Sequence, residues 1–166
     1  MENDFIQDPE FISLRTDIAA IEINVPGKNI SCLNDDDSIF DNSLLSEVGF
    51  ECSVVGYPNI NIEGMITPIW RRATIASEPY LPIDGKPIFL LDASTSPGFS
   101  GAPVFRRHIG ASPSRGRDGK IAINLDRVLT TLFVGVYAGR FSHKHFGGEI
   151  PFVFYGNRLD FIIPDK

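Results

Sequence analysis

The 166-residue chain has only two cysteines, Cys32 and Cys52. Two thiols do not make a disulfide framework, and no CxxC or Cys/His metal spacing accompanies them. Long apolar runs are missing as well. No stretch approaches the roughly 20 apolar residues of a membrane-spanning helix, and the acidic start Met1-Glu2-Asn3-Asp4 is unlike a signal peptide. The expected location is the cytoplasm, unless the chain begins inside a longer one. Positive charge is in deficit: 15 Lys and Arg stand against 21 Asp and Glu, a net charge of -6. That excludes a nucleic-acid surface built on bulk charge. The local basic clusters at Arg71-Arg72, Arg106-Arg107 and Arg115 to Arg117 read as solvated loop charges. Histidine is scarce too, with His108, His143 and His145 its three members.

What is present is an ordinary globular composition, 43% hydrophobic and 22% charged, long enough for one sizeable core or two small ones sharing an interface. Alternation with a period of two marks the strands. Ile21, Ile23 and Val25 oppose Glu22 and Asn24, and Phe50, Cys52 and Val54 oppose Glu51 and Ser53. Further strands are predicted at 60–66, 72–77, 88–91, 102–105, 132–137, 152–155 and 159–163, separated by turn residues. The polar segment 28–47 includes Asp35-Asp36-Asp37, which lacks the alternating spacing of a calcium loop and reads as solvated. The Gly/Ser/Arg-rich stretch 110–119 reads as a loop, and 120–132 fits either a helical stripe or a strand. Gly56-Tyr57-Pro58 is a firm stop, and a boundary there divides the chain into 1–58 and 59–166. The fold class is all-β.

The other strands are best read against the run Asp92-Ala93-Ser94-Thr95-Ser96-Pro97-Gly98-Phe99-Ser100-Gly101-Ala102-Pro103-Val104-Phe105. Glycines on both sides of Ser100 permit backbone conformations that a Cβ would forbid. Such a turn directs consecutive N–H groups at one point while the hydroxyl stays accessible, which is how a developing oxyanion is held. A Gly/Ser/Pro turn between two strands is the plainer alternative. Earlier, Thr16-Asp17-Ile18-Ala19-Ala20 sets a carboxylate ahead of a strand, a capping residue on its own terms. Later, Val134-Gly135-Val136-Tyr137-Ala138-Gly139 reads as an ordinary core strand.

Taken in order, these three segments resemble the trypsin-like (chymotrypsin-fold) serine peptidases, in particular the disulfide-free bacterial type. The resemblance covers most of the chain and is most specific over 92–105. It implies two six-stranded antiparallel β-barrels with catalytic residues in the cleft between them. Here 1–58 would be the second half of the first barrel, leaving that barrel incomplete, and 59–166 the second barrel. Ser100 resembles the nucleophile, and Gly98 with Ser100 would supply the oxyanion-hole N–H groups. Asp17 resembles the aspartate that orients the catalytic histidine. Val136, Tyr137, Ala138 and Gly139 resemble the strand whose edge pairs with a polypeptide substrate, Gly139 walling the pocket for the residue before the scissile bond. Ser94 stands where the base of that pocket commonly lies. Because it is not an acid, a neutral or apolar substrate side chain is expected rather than Arg or Lys. No cofactor or metal is implied.

Three departures qualify the resemblance. Phe99 stands where Asp or Asn is usual, so activation through a newly cut N-terminus is not expected. The usual closing helix does not follow 159–163. Most important, the family order is His, Asp, Ser, and no histidine stands among residues 1–16. A serine without a nearby base is a poor nucleophile, and His143 and His145 would lie in the loop after the substrate strand. The expectation is therefore a serine endopeptidase domain whose base lies outside these residues, in another segment or chain that completes the first barrel. The alternative is a catalytically inactive relative that binds peptides or other proteins.

Overall fold

A computed structural model describes residues 5–7, 9, 16–21, 46–58, 64, 67–115, 120–124, 129–143 and 148–156. Among them there are ten strands and no α-helix, so the all-β expectation holds. The strands are β1 (Phe5–Gln7), β2 (Ala19–Ile21), β3 (Glu51–Gly56), β4 (Ile69–Ile75), β5 (Ile88–Asp92), β6 (Pro103–Ile109), β7 (Ser112–Arg115), β8 (Ile121–Asn124), β9 (Leu129–His143) and β10 (Gly148–Tyr155). Six of them close an antiparallel barrel in the order β10-β5-β4-β3-β6-β9. The path runs β3-β4-β5 as a meander, crosses to β6 beside β3, and returns through β9 and β10 to β5. Closure removes the open edges that a free sheet of this size would carry.

Alternation explains the interior. Cys52 and Val54 of β3, Ala73 and Ile75 of β4, Phe89 and Leu91 of β5, Val104 of β6, Tyr137 of β9 and Val153 of β10 form one buried cluster, joined by Phe99 and Ala102. Outward-facing Ile88 and Phe154 are also buried, because Ile18 from the segment before β2 lies over them, with Ala138 and Phe152 packed alongside. Covering an isoleucine of this kind contributes about 1.5–3 kcal/mol. The Asp17 segment is thereby docked on the outside of the barrel where β5, β10 and β9 meet.

Several expectations are corrected. The expected division at residue 58 puts β3 in the first unit, yet β3 pairs with both β4 and β6 of the closed barrel. The barrel thus takes residues from both sides of that division. The loop expected over 110–119 contains β7, which forms a two-stranded hairpin with β8. It tolerates Pro113 because its other edge pairs with no described residue. The ambiguous stretch 120–132 is strand at 121–124 and again from 129. Arg106 and Arg107 are not loop charges but lie on β6. Arg106 is buried with its guanidinium 4.0 Å from the Phe50 ring centroid, and Arg107 lies over Trp70 at 5.4 Å. Arg72 on β4 pairs with Glu51 on β3. Within the strand predicted at 60–66 the one described residue, Gly64, is in a turn with φ of 78°; the rest of that strand, the strand predicted at 159–163, most of the 28–47 loop, Cys32, and the residues around Ile23 and Val25 lie outside the described residues. No helix among the described residues is long and apolar enough to cross a membrane.

Cys52 is a free thiol inside the barrel, and burial pushes it up to about 12 from an ordinary 9.0. The unfolded thiol ionises from about pH 9 while the folded one stays protonated. Its contribution to stability is therefore intact below about pH 9 and lost at about 1.4 kcal/mol per pH unit up to about pH 12. Cys52→Ala is expected to flatten that alkaline decline. Urea unfolding of both proteins at pH 8 and pH 10 checks it, and parallel declines would contradict it.

Candidate active site

The turn between β5 and β6 puts Ser100 at the surface. Gly98 and Gly101 have φ of 96° and 83°, values that L side chains rarely adopt, and between them Phe99 is fully buried while Ser100 is exposed. The turn is clamped at its far end. The Gly101 N–H donates to the Tyr137 carbonyl at 2.8 Å, the Tyr137 N–H to the Ala102 carbonyl at 2.9 Å, and the Ala102 N–H to the Phe99 carbonyl at 2.9 Å. Phe99 fills the core beneath, close enough to Gly56 that a Cβ there would meet its ring at 3.1 Å. The N–H groups of Gly98 and Ser100 bond no other described residue.

β9 runs past this turn with two irregularities. Its register shifts against β6 between Val104 and Phe105, leaving Val134 as an extra residue. It shifts against β10 between Phe152 and Val153, leaving Ala138 as another. Bulges of this kind re-aim a strand and are common beside sites. Val136 is paired with Pro103 on one side and Phe154 on the other, and the backbone groups of Tyr137 are taken by the turn. Neither therefore presents an open edge. Beyond Tyr137 no described strand pairs with β9 on the side of the Ser100 turn. Of the four residues expected to pair with a peptide, Ala138 and Gly139 alone lie on that unpaired edge.

Ser94 is exposed, and its neighbour Thr95 is buried. Thr95 Oγ1 shares a hydrogen bond of 2.7 Å with the Tyr137 hydroxyl. Arg140 joins the same group: its Nη2 donates to the Thr95 carbonyl, its Nε to Thr95 Oγ1 at 3.4 Å, and its Nη1 to Glu149 Oε2 at 2.8 Å. The hydrogen bond to the Glu149 carboxylate is the main reason the Arg140 guanidinium is held above its ordinary value; desolvation acts against it and the Tyr137 hydroxyl adds to it. Together these contacts tie the loop ahead of Ser100 to β9 and β10.

Asp17 is exposed, between fully buried Thr16 and buried Ile18. Ile18 packs in the cluster that Ala138 adjoins, which brings the Asp17 segment to the β9 residue next to Tyr137. The Ser100 turn thus meets β9 at Tyr137, Ser94 stands beside Thr95, which bonds Tyr137, and the Asp17 segment reaches Ala138 through the Ile18 cluster on the β5 and β10 side. The histidines stand apart. His108 is on β6, its Nε2 2.6 Å from the Ala111 carbonyl; at about 3.3 Å per residue it lies about 16 Å along the strand from Pro103. His143, the last residue of β9, is about 20 Å from Tyr137 by the same rise. His145 lies outside the described residues. No His/Cys/Asp/Glu group that could hold a metal occurs among the described residues.

Sequence reasoning missed Thr95, Arg140 and Glu149. The first two adjoin named candidates, Ser94 and Gly139. Glu149 had no signal of its own, since it reaches Arg140 through the pairing of Arg140 with Pro151, a diagonal cross-strand contact. No protein-family model, curated protein or solved structure matches the chain.

Proposed function

We propose that this chain is the nucleophile-bearing part of a trypsin-like serine endopeptidase, with the histidine base supplied from outside these residues. The observation that carries the reading is the Ser100 turn: an exposed hydroxyl between two left-handed glycines, anchored by Phe99 and clamped to β9 just where that strand becomes unpaired. The closed six-stranded antiparallel barrel agrees with the second barrel of a double-barrel fold, and the Asp17 segment docked beside Ala138 agrees with a cleft on that side.

In this mechanism a peptide adds to the edge of β9 at Ala138 and Gly139. Ser100 Oγ attacks the scissile carbonyl and gives its proton to the histidine, which Asp17 orients. The tetrahedral oxyanion is held by the N–H groups of Gly98 and Ser100, a donor of this type contributing about 3–4 kcal/mol to the barrier. Collapse expels the amine, protonated by the histidine, and leaves an ester on Ser100 that water then hydrolyses.

The positions of His108 and His143 favour a second reading, in which the chain binds peptides without cutting them. A fluorophosphonate probe separates the two. Ser100 is expected to be labelled in an N-terminally extended protein carrying the histidine, several orders of magnitude faster than in the 166-residue chain, and not at all in Ser100→Ala. Absence of labelling in both forms, with peptide binding intact, sinks the enzyme reading.

A further inference from the structure

The side chain that ties the loop ahead of Ser100 to β9 and β10 is a cation. Arg140 reaches from β9 to Thr95 and to Glu149 on β10. An arginine has five N–H donors. Three are used in these contacts and the Tyr137 hydroxyl bonds the side chain as well, yet the side chain is still 38% exposed.

We propose that Arg140, backed by the hydroxyls of Thr95 and Tyr137, receives a carboxylate, so that the site selects a peptide with glutamate or aspartate next to the scissile bond. This rests on reading the Ser100 turn as the nucleophile turn, and it replaces the neutral or apolar preference that Ser94 alone suggests. The reasoning compares three kinds of side chain. A lysine or arginine meets like charge. An apolar group covers the exposed part of the guanidinium without bonding it, a loss greater than the gain from its contact. A carboxylate accepts a charge-assisted hydrogen bond from that exposed part. The remaining groups at this place, Ser94, Thr95 and Tyr137, carry hydroxyls that add hydrogen bonds without neutralising the cation. Among the described residues Glu149 is the charge that competes, and it is 56% exposed on the β10 side, where water screens its hold.

Product-like peptides identical except for a C-terminal Glu, Gln or Lys test this by calorimetric titration of the 166-residue chain. The Glu peptide is expected to bind roughly ten- to a hundredfold more tightly than the Gln peptide. The difference is expected to collapse in Arg140→Gln and to widen in Glu149→Gln, which removes the competing carboxylate and leaves Arg140 in place. Equal binding of the three peptides, no measurable binding of the Glu peptide, persistence of the preference in Arg140→Gln, or its narrowing in Glu149→Gln overturns the assignment. Labelling of Ser100 in the extended protein without an acidic preference defeats this inference and spares the peptidase reading. An acidic preference without labelling does the reverse.

Discussion

Replacing Phe99 with alanine is expected to cost about 3–5 kcal/mol of unfolding free energy, and to loosen the turn that presents Ser100. Phe99 is fully buried among Cys52, Val54, Ala102, Val104 and Tyr137, against the open side of Gly56. Deleting its ring removes apolar contact and leaves a cavity that a closed barrel cannot fill by shifting one strand. The turn then loses its floor. Gly98 and Gly101 are free to leave their left-handed conformations, and the bond from the Gly101 N–H to the Tyr137 carbonyl is the first long-range contact exposed to that freedom. Urea unfolding measures the first effect, and hydrogen exchange at Gly101 the second. Phe99→Leu, which keeps most of the volume, should lose less than about 1.5 kcal/mol. A cost for Phe99→Ala below about 1 kcal/mol would show that the ring is no anchor.

Phe99 also marks how far the sequence was legible. The barrel strands could be read because each presents one face to a filled interior: Cys52 with Val54, Ala73 with Ile75 and Phe89 with Leu91 are pairs spaced by two. The Ser100 turn could be read because the glycines at 98 and 101 supply the left-handed backbone that so sharp a reversal needs. What could not be read depends on register. Gly56-Tyr57-Pro58 marks a stop but carries no information about which strands the preceding one pairs with, and β3 pairs with β4 and β6 beyond it. Ser112 to Arg115 has no apolar alternation, and its pairing with β8 is a matter of backbone alone. The Thr95, Tyr137, Arg140 and Glu149 group needs the pairing of β9 with β10, including the slip at Ala138, before its members meet. A hydroxyl, a phenol, a guanidinium and a carboxylate spread over 95–149 give no local pattern.

That register has its own requirement, and it yields a sharp comparison between two glycines of β9. Gly135→Ala is expected to destabilise the protein by about 3–5 kcal/mol, and Gly139→Ala by about 1–2 kcal/mol. The two have nearly the same backbone, with φ of 159° and 155°, so the strain of placing an L side chain there is common to both. They differ in what a Cβ would meet. At Gly135 it would collide with the Phe154 carbonyl oxygen and lie 2.7 Å from Val153 Cγ1; at Gly139 the nearest atom is Phe152 Cε1 at 3.9 Å. Val153 and Phe154 are both buried, so neither β10 backbone nor side chain can yield without opening the seam between β9 and β10. A flexible side-chain tip could move aside, whereas a carbonyl oxygen in a paired strand cannot. The difference between the two unfolding free energies, measured in urea at one pH, isolates this close approach from the dihedral strain. Equal costs would mean that β10 stands away from Gly135 and that the barrel is not sealed there. A larger cost at Gly135, accompanied by faster exchange of the β10 amides, is the result that a closed barrel with β9 pressed against β10 requires.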